Sequence, residues 1–147
     1  MSVTIGKWIS LLYRHGHMYL AKELEPYGIG TGQFFFLISL FHKDGILQEE
    51  LANCLKIDKG TTARAINKLV SAGYVVKEPN KNDLRSNYVC LTDKGKSFQP
   101  ILETILTNWN DIISNGISEN QVILANQLLE KMATNATEHI KEKKVDE

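Results

Sequence analysis

The chain has 147 residues, 43% of them hydrophobic and 23% charged, with 17 basic and 17 acidic side chains that cancel. That is one average domain, able to bury a core without disulfides or metal, and its composition excludes disordered and collagen-like classes. No apolar run approaches the roughly 18 residues that span a bilayer, and the opening "MSVTIGKW" lacks a signal-peptide pattern, so a cytoplasmic protein without a membrane partner is expected. Cys54 and Cys90 make neither a disulfide framework nor a CxxC pair, in keeping with a reducing compartment.

Apolar residues at helical spacing (Ile5, Trp8, Ile9, Leu12, Tyr19, Leu20, Leu24) predict a first helix over 3–25, stopped by "EPYGIG". "TGQFFFLISLFHKDG" predicts a second, with Thr31 as its cap and Asp44-Gly45 as the turn that follows. "QEELANCL" reads as a short third helix. The fourth lies within "DKGTTARAINKLVSAG", with Asp58 as N-cap and Gly73 placed to end it. "YVVKEP" and "YVCL" are Tyr/Val-rich strands, and the polar run between them is the tip of a β-hairpin. A fifth helix is expected over 92–115. Ser118 and Gln121 form a capping box for a sixth that reaches about Lys141, and the charged tail "KEKKVDE" should fray.

The zero net charge conceals a division. Residues 56–96 hold nine Lys/Arg against four acids, a net of +5, and the remainder holds eight against thirteen, a net of −5. A basic middle between acidic ends suggests a surface for polyanions. The order helix, turn, helix, hairpin is that of a winged helix-turn-helix, whose second helix enters the DNA major groove. On a helical wheel referenced to Ile66, Ala63, Leu69 and Val70 fall on the inner side, while Thr61, Arg64 and Lys68 point outward. Hydroxyl, guanidinium and ammonium groups there suit phosphates and base edges. After Asp58 this helix carries no acid, which a plain solvated face would include.

Asp83-Leu84-Arg85, five residues, then Leu91-Thr92-Asp93-Lys94-Gly95 resembles the D-x-R…L-T-x-x-G wing signature of the MarR (multiple antibiotic resistance regulator) family. "IGTGQFFFLISL" and "QEELANCLKIDKGTTARAINKLVSAGYV" are similar to its second-helix and helix-turn-helix segments, and the resemblance extends over roughly residues 5–142. It implies a mainly α fold: a winged helix-turn-helix with long N- and C-terminal dimerisation helices, about six helices and a two- or three-stranded wing sheet. It implies a helical dimerisation region at 1–30 and 92–147 and a DNA-binding region at 31–91, within a single compact domain. Lys59, Gly60, Thr61, Thr62, Arg64, Lys68, Lys81, Asn82 and Arg85 are the implied DNA contacts, with Arg85 probing the minor groove and Asp83 bracing it. Thr92 would cap the fifth helix. Many relatives carry a second arginine where this chain has Leu84, so its wing contact should be weaker or differently placed.

The implied function is a homodimeric regulator on a pseudo-palindromic double-stranded operator, a repressor released by a small aromatic or anionic effector. Apolar residues beyond the needs of a small winged domain, including Trp8, Trp109, Leu128, Leu129 and Met132, independently favour a dimer. Arg14, His15, Met18, Tyr19 and Phe35 could line an effector crevice, with Arg14 as counter-ion. No cofactor or metal is expected. His15 and His17 point in different directions on a helix, and His42 resembles a zinc-sensing ligand position without a histidine in 92–115 to complete the site. Cys54 should pack inside the third helix and Cys90 in the wing strand, which argues against redox sensing. No enzyme motif is present. The competing reading is a winged-helix protein-interaction module that does not bind DNA.

Overall fold

A computed structural model of the protein describes residues 4–145. Helix α1 (Ile5–Leu24) opens the fold, and the expected start at Val3 lies outside the described residues. A single 3-10 turn (Glu25–Tyr27) follows, with Pro26 supplying a preset φ, and left-handed Gly28 (φ 70°) closes it. Helix α2 (Phe34–His42) starts two residues later than a cap at Thr31 would set it. Thr31 does not cap it. The Gln33 side chain instead accepts from Gly30 N at 2.7 Å, while the Thr31 hydroxyl meets His17 Nε2 at 3.0 Å.

The turn at Asp44-Gly45 is as expected, with Gly45 at φ 67°. One Asp44 oxygen accepts from Gly45 N and from Leu91 N, both at 2.8 Å, so this carboxylate ties the turn to the end of the hairpin. Strand β1 (Ile46–Leu47), helix α3 (Gln48–Leu55), helix α4 (Lys59–Ser71), strands β2 (Val75–Pro79) and β3 (Asn87–Leu91), and helices α5 (Asp93–Ile113) and α6 (Glu119–Val145) complete the order. The sheet is antiparallel with order β1-β3-β2, pairing Val75 with Leu91, Pro79 with Asn87 and Ile46 with Val89. The wing is thus three-stranded. A core of Leu24, Phe36, Leu37, Leu40, Leu51, Ile66, Leu69, Val75, Val89, Phe98 and Leu102 sits beneath it.

Packing groups the chain into two compact units, with the boundary in the sequence of α5 at Trp109/Asn110. In the first unit, α1 lies against α5 where Gly16 is buried beneath the Trp109 ring and Tyr19 stacks on that ring at 5.1 Å. In the second, Ser118 Oγ accepts from Gln121 N at 3.3 Å and Gln121 Oε1 accepts from Ser118 N at 3.1 Å, the reciprocal box the sequence predicts. Helix α6 runs four residues beyond Lys141, so residues 141–145 of the tail expected to fray are helical, while Asp146 and Glu147 lie outside the described residues. Pro100 stands inside α5, leaving the Lys96 carbonyl without its usual rung.

Candidate nucleic-acid interface

Helix α4 is built to present one polar face. Asp58 takes an extended conformation (φ −62°, ψ 155°), and its carboxylate accepts from Thr61 N at 2.9 Å. Hydrogen bonds from Thr61, helped by the nearby Arg64 guanidinium, hold this carboxyl below its ordinary pKa. Arg64 Nη2 in turn donates to Thr61 Oγ1 at 3.1 Å, so hydroxyl and guanidinium are set side by side on the exposed face. Lys59, Gly60, Thr61, Arg64 and Lys68 are all exposed.

Thr62 is different. It is 0% exposed, so it cannot touch a nucleic acid, and its hydroxyl has no partner among the described residues. The wheel referenced to Ile66 placed the inward centre slightly wrong. The buried stripe is Thr62, Ala65, Ile66 and Leu69, while Val70 remains 38% exposed. Positions 62, 66 and 69 follow the i, i+4, i+7 rule, and a threonine in that stripe is carried inward by its neighbours.

At the other end of α4, Gly73 (φ 86°) ends the helix as expected, and Lys94 Nζ donates to the Ala72 carbonyl at 2.7 Å while lying 4.5 Å over the Tyr74 ring. Lys94, itself exposed, therefore caps a helix C-terminus. The L-T-x-x-G frame has a geometric reason. Thr92 Oγ1 donates to Gly73 O at 2.6 Å and accepts from Gly95 N at 3.1 Å, so this side chain both caps α5 and fastens the wing to the end of α4. A β-carbon on Gly95 would overlap the Tyr74 carbonyl oxygen. Sequence reading assigned neither Lys94 nor Gly95 a role, although the signature contained both.

The wing tip is organised by short polar bonds. Asn80 Nδ2 donates to Ser86 Oγ at 3.1 Å, and Asn82 N donates to Asn80 Oδ1 at 3.1 Å. Asp83 Oδ1 accepts from Arg85 N at 3.0 Å and from Arg85 Nε at 3.3 Å. The carboxylate thus holds both backbone and side chain of Arg85, whose side chain is 92% exposed. Lys81 and Asn82 are exposed beside it, and Leu84 is 84% exposed. Between helix pair and wing lies a polar crevice of about 170 Å³ bordered by Gln48, Lys59, Arg85 and Asn87, which brings the start of α4 and the base of the wing tip to one rim. Lys59 bonds Glu49 at 3.2 Å there, and both are well exposed.

The residues expected around an effector are not brought together. On α1 the residues bordering the cavity at the start of α2 are Leu12, Tyr13, Gly16, His17 and Leu20, whereas Arg14, His15 and Met18 do not border it and are exposed. His15 Nδ1 lies 2.9 Å from Leu11 O. Tyr19 packs on Trp109 instead, and of the five only Phe35 borders that cavity, one of about 370 Å³ between α1 and the start of α2. Cys54 is exposed, not packed inside α3, because the buried stripe of that helix is Leu51 and Ala52. Burial, then the Glu78 and Asp44 carboxylates, push the Cys90 thiol up and keep it from ionising.

A family model described as the MarR family matches residues 31–86. A MarR transcriptional regulator from Methanosarcina mazei Go1 is 48% identical, with 91% of this chain and 96% of that one covered and a TM-score of 0.84. A putative MarR family transcriptional regulator from Listeria monocytogenes, solved complexed with a 26mer DNA, is 27% identical over 94% of this chain and 92% of that one, with a TM-score of 0.85. The HTH-type transcriptional regulator BilQ of Clostridium symbiosum is 26% identical over 144 residues, covering 98% of this chain and all of the relative. Almost half of the residues are shared with a solved member over nearly its whole length, on the same winged-helix frame, and the chain belongs to the MarR family of transcriptional regulators, which act by regulating genes and not as enzymes.

Proposed function

We propose that this regulator is a homodimeric, sequence-specific double-stranded DNA-binding protein, a repressor that a small-molecule effector releases from a pseudo-palindromic operator. The observation that carries the reading is two exposed cationic elements, the acid-free face of α4 and the Asp83-braced Arg85, with Lys59 at the start of α4 and Arg85 bordering one crevice. Arg64 and Thr61 suit base edges, Lys68, Lys81 and Asn82 suit phosphate or sugar, and the braced guanidinium suits a narrow minor groove. The Listeria monocytogenes relative, solved with DNA, supports the same use of the frame.

Dimerisation through 1–30 and 92–147 rests on uncovered apolar surface. In the first unit, Ile5, Trp8 and Leu12 of α1 are about half exposed, and in the second, Ile123, Leu124, Leu128 and Leu129 of α6 are too. A monomer leaving such residues in water would be prone to association. Two copies of α4 related by a two-fold axis then read half-sites about one helical turn apart.

The test is a mobility-shift titration against the DNA upstream of the protein's own gene, with sedimentation to fix the assembly. Specific retardation by a dimer, resistant to competitor DNA, is expected. A folded protein that ignores this DNA at low salt and binds an acidic protein surface through the same basic rim would establish the interaction-module reading instead.

A further inference from the structure

The wing tip is two β-turns in succession. Asp83 N donates to Asn80 O at 3.2 Å and Ser86 N donates to Asp83 O at 3.1 Å. Lys81 and Asn82 are therefore the corners of the first turn, and Leu84 and Arg85 those of the second. Asn80 N donates to Ser86 O at 3.2 Å and closes the loop, and the Asn80 and Asp83 side chains bond within it. Turn corners ordinarily carry polar residues, glycine or proline. Leu84, at 84%, is the most exposed large apolar side chain among the described residues. A lone apolar residue on a surface needs no explanation. Here, however, the backbone on both sides is pinned, and the next residue carries the guanidinium that Asp83 braces.

We propose that Leu84 is a specificity-determining residue: it enters the DNA minor groove beside Arg85, lies against the groove floor and selects A·T over G·C pairs there. The inference rests on the DNA-binding function proposed above. Leucine and other apolar side chains do enter the minor groove in architectural DNA-binding proteins. The floor shows only acceptors at A·T pairs, whereas guanine adds its 2-amino group. Leucine can accept no hydrogen bond, so pressing it onto that amino group strips the group's water and returns nothing. Over A·T pairs the acceptors stay within reach of the neighbouring guanidinium, and the leucine methyls bury against deoxyribose. Arg85 thus supplies charge to the groove, and Leu84 supplies an uncharged reading that salt does not screen.

The test uses the full-length protein and two versions of the DNA upstream of its own gene, one amplified normally and one with 2,6-diaminopurine in place of adenine. The replacement puts a 2-amino group in the minor groove of every former A·T pair and leaves the major-groove edges unchanged. Wild type should bind the diaminopurine version about ten-fold more weakly than the normal one. Leu84→Ala should lose most of that penalty while binding normal DNA about ten-fold more weakly than wild type, with salt slope and melting temperature unchanged. Arg85→Ala should bind both versions more weakly and keep the penalty. Leu84→Ala that binds normal DNA as wild type does overturns the proposal, and so does a Leu84→Ala that keeps the full penalty or a wild type indifferent to the replacement. A penalty that vanishes equally in Arg85→Ala overturns it too, because insertion of the wing as a whole would then be its source. Should wild type ignore the normal DNA, the regulator reading falls and this contact with it; a wild type that binds normal DNA but gives any of the preceding contrary results sinks the role of Leu84 alone.

Discussion

Gly95→Ala should destabilise the protein severely although it adds a single methyl group. The added carbon would lie well inside the 3.0 Å that real β-carbons keep, against the Tyr74 carbonyl oxygen, and within 3.1 Å of Leu91 Cδ2. The oxygen is backbone and already accepts from Thr92 N at 3.0 Å, so no rotamer can relieve the overlap. Either α5 or the base of the wing must move by most of an ångström, and that motion strains Gly95 N to Thr92 Oγ1 and Thr92 Oγ1 to Gly73 O as well. Two hydrogen bonds at about 1 kcal/mol each, with about 1–3 kcal/mol of overpacking, sum to roughly 3–5 kcal/mol. That is a large part of a typical domain's stability and corresponds to a melting temperature lower by about 10 °C or more. Thermal and urea denaturation followed by circular dichroism measure it. An alanine variant within about 1 kcal/mol of wild type would refute the reasoning, because it would mean that the junction of wing and α5 is soft.

At the wing tip, Arg85→Ala should weaken operator binding by on the order of ten-fold without changing the melting temperature, as expected of a hydrogen-bonded charge on a 92% exposed side chain. Asp83→Ala should weaken binding too, although it removes a negative charge near DNA, and tighter binding would contradict the bracing role. Lys68→Ala should lower affinity alike for all sequences and reduce the salt slope by about two units per dimer, whereas Arg64→Ala should cost about 1–3 kcal/mol at the cognate site and relax one position per half-site. Competition binding at several salt concentrations distinguishes the two, and a uniform loss for Arg64→Ala would move it to the phosphate contacts. Thr62→Val replaces a buried, unpartnered hydroxyl with an isosteric methyl, so it should stabilise by about 1 kcal/mol with operator affinity unchanged; reduced affinity would restore Thr62 to the interface. The Asp58 carboxyl lies lower in the folded than in the unfolded protein, so its stabilisation is complete above the ordinary aspartate pKa and is lost as pH falls through the lower folded value. The stability gap between wild type and Asp58→Ala should therefore close in acid, and a gap independent of pH would exclude the charged cap.

What could be read from sequence was local. Asp58, Gly73 and the Ser118–Gln121 box act within four residues of themselves, and their geometry follows from neighbours alone. The hairpin was equally legible, because its turn residues and Tyr/Val strands carry their own signal. Errors arose where tertiary packing decides. On α1 buried Gly16 lets Trp109 approach, while Arg14, His15 and Met18 are exposed, a sidedness that residue type does not reveal. Thr62 and Cys54 were misjudged for the same reason, since neighbours on a helix, not residue type, determine which side is buried. The cap that Lys94 provides was missed because a side chain reaching back to Ala72, 22 residues earlier, leaves no mark in the local pattern.

Helix α5 carries two fixed points in the first unit: Gly95, wedged against the wing, and Trp109, which walls the cavity and rests over Gly16. Fourteen residues separate them, about 21 Å of helix, so the segment works as a lever arm. Turning Trp109 aside so that α5 tilts by about 3° displaces the wing junction by about 1 Å over that length, comparable to the clearance that Gly95 lacks. Pro100 interrupts the hydrogen-bond ladder between the two points and gives the arm one compliant joint. Gain and loss of motion along the arm are therefore set at a single residue, and a stiffer one there would transmit more of whatever the cavity end imposes.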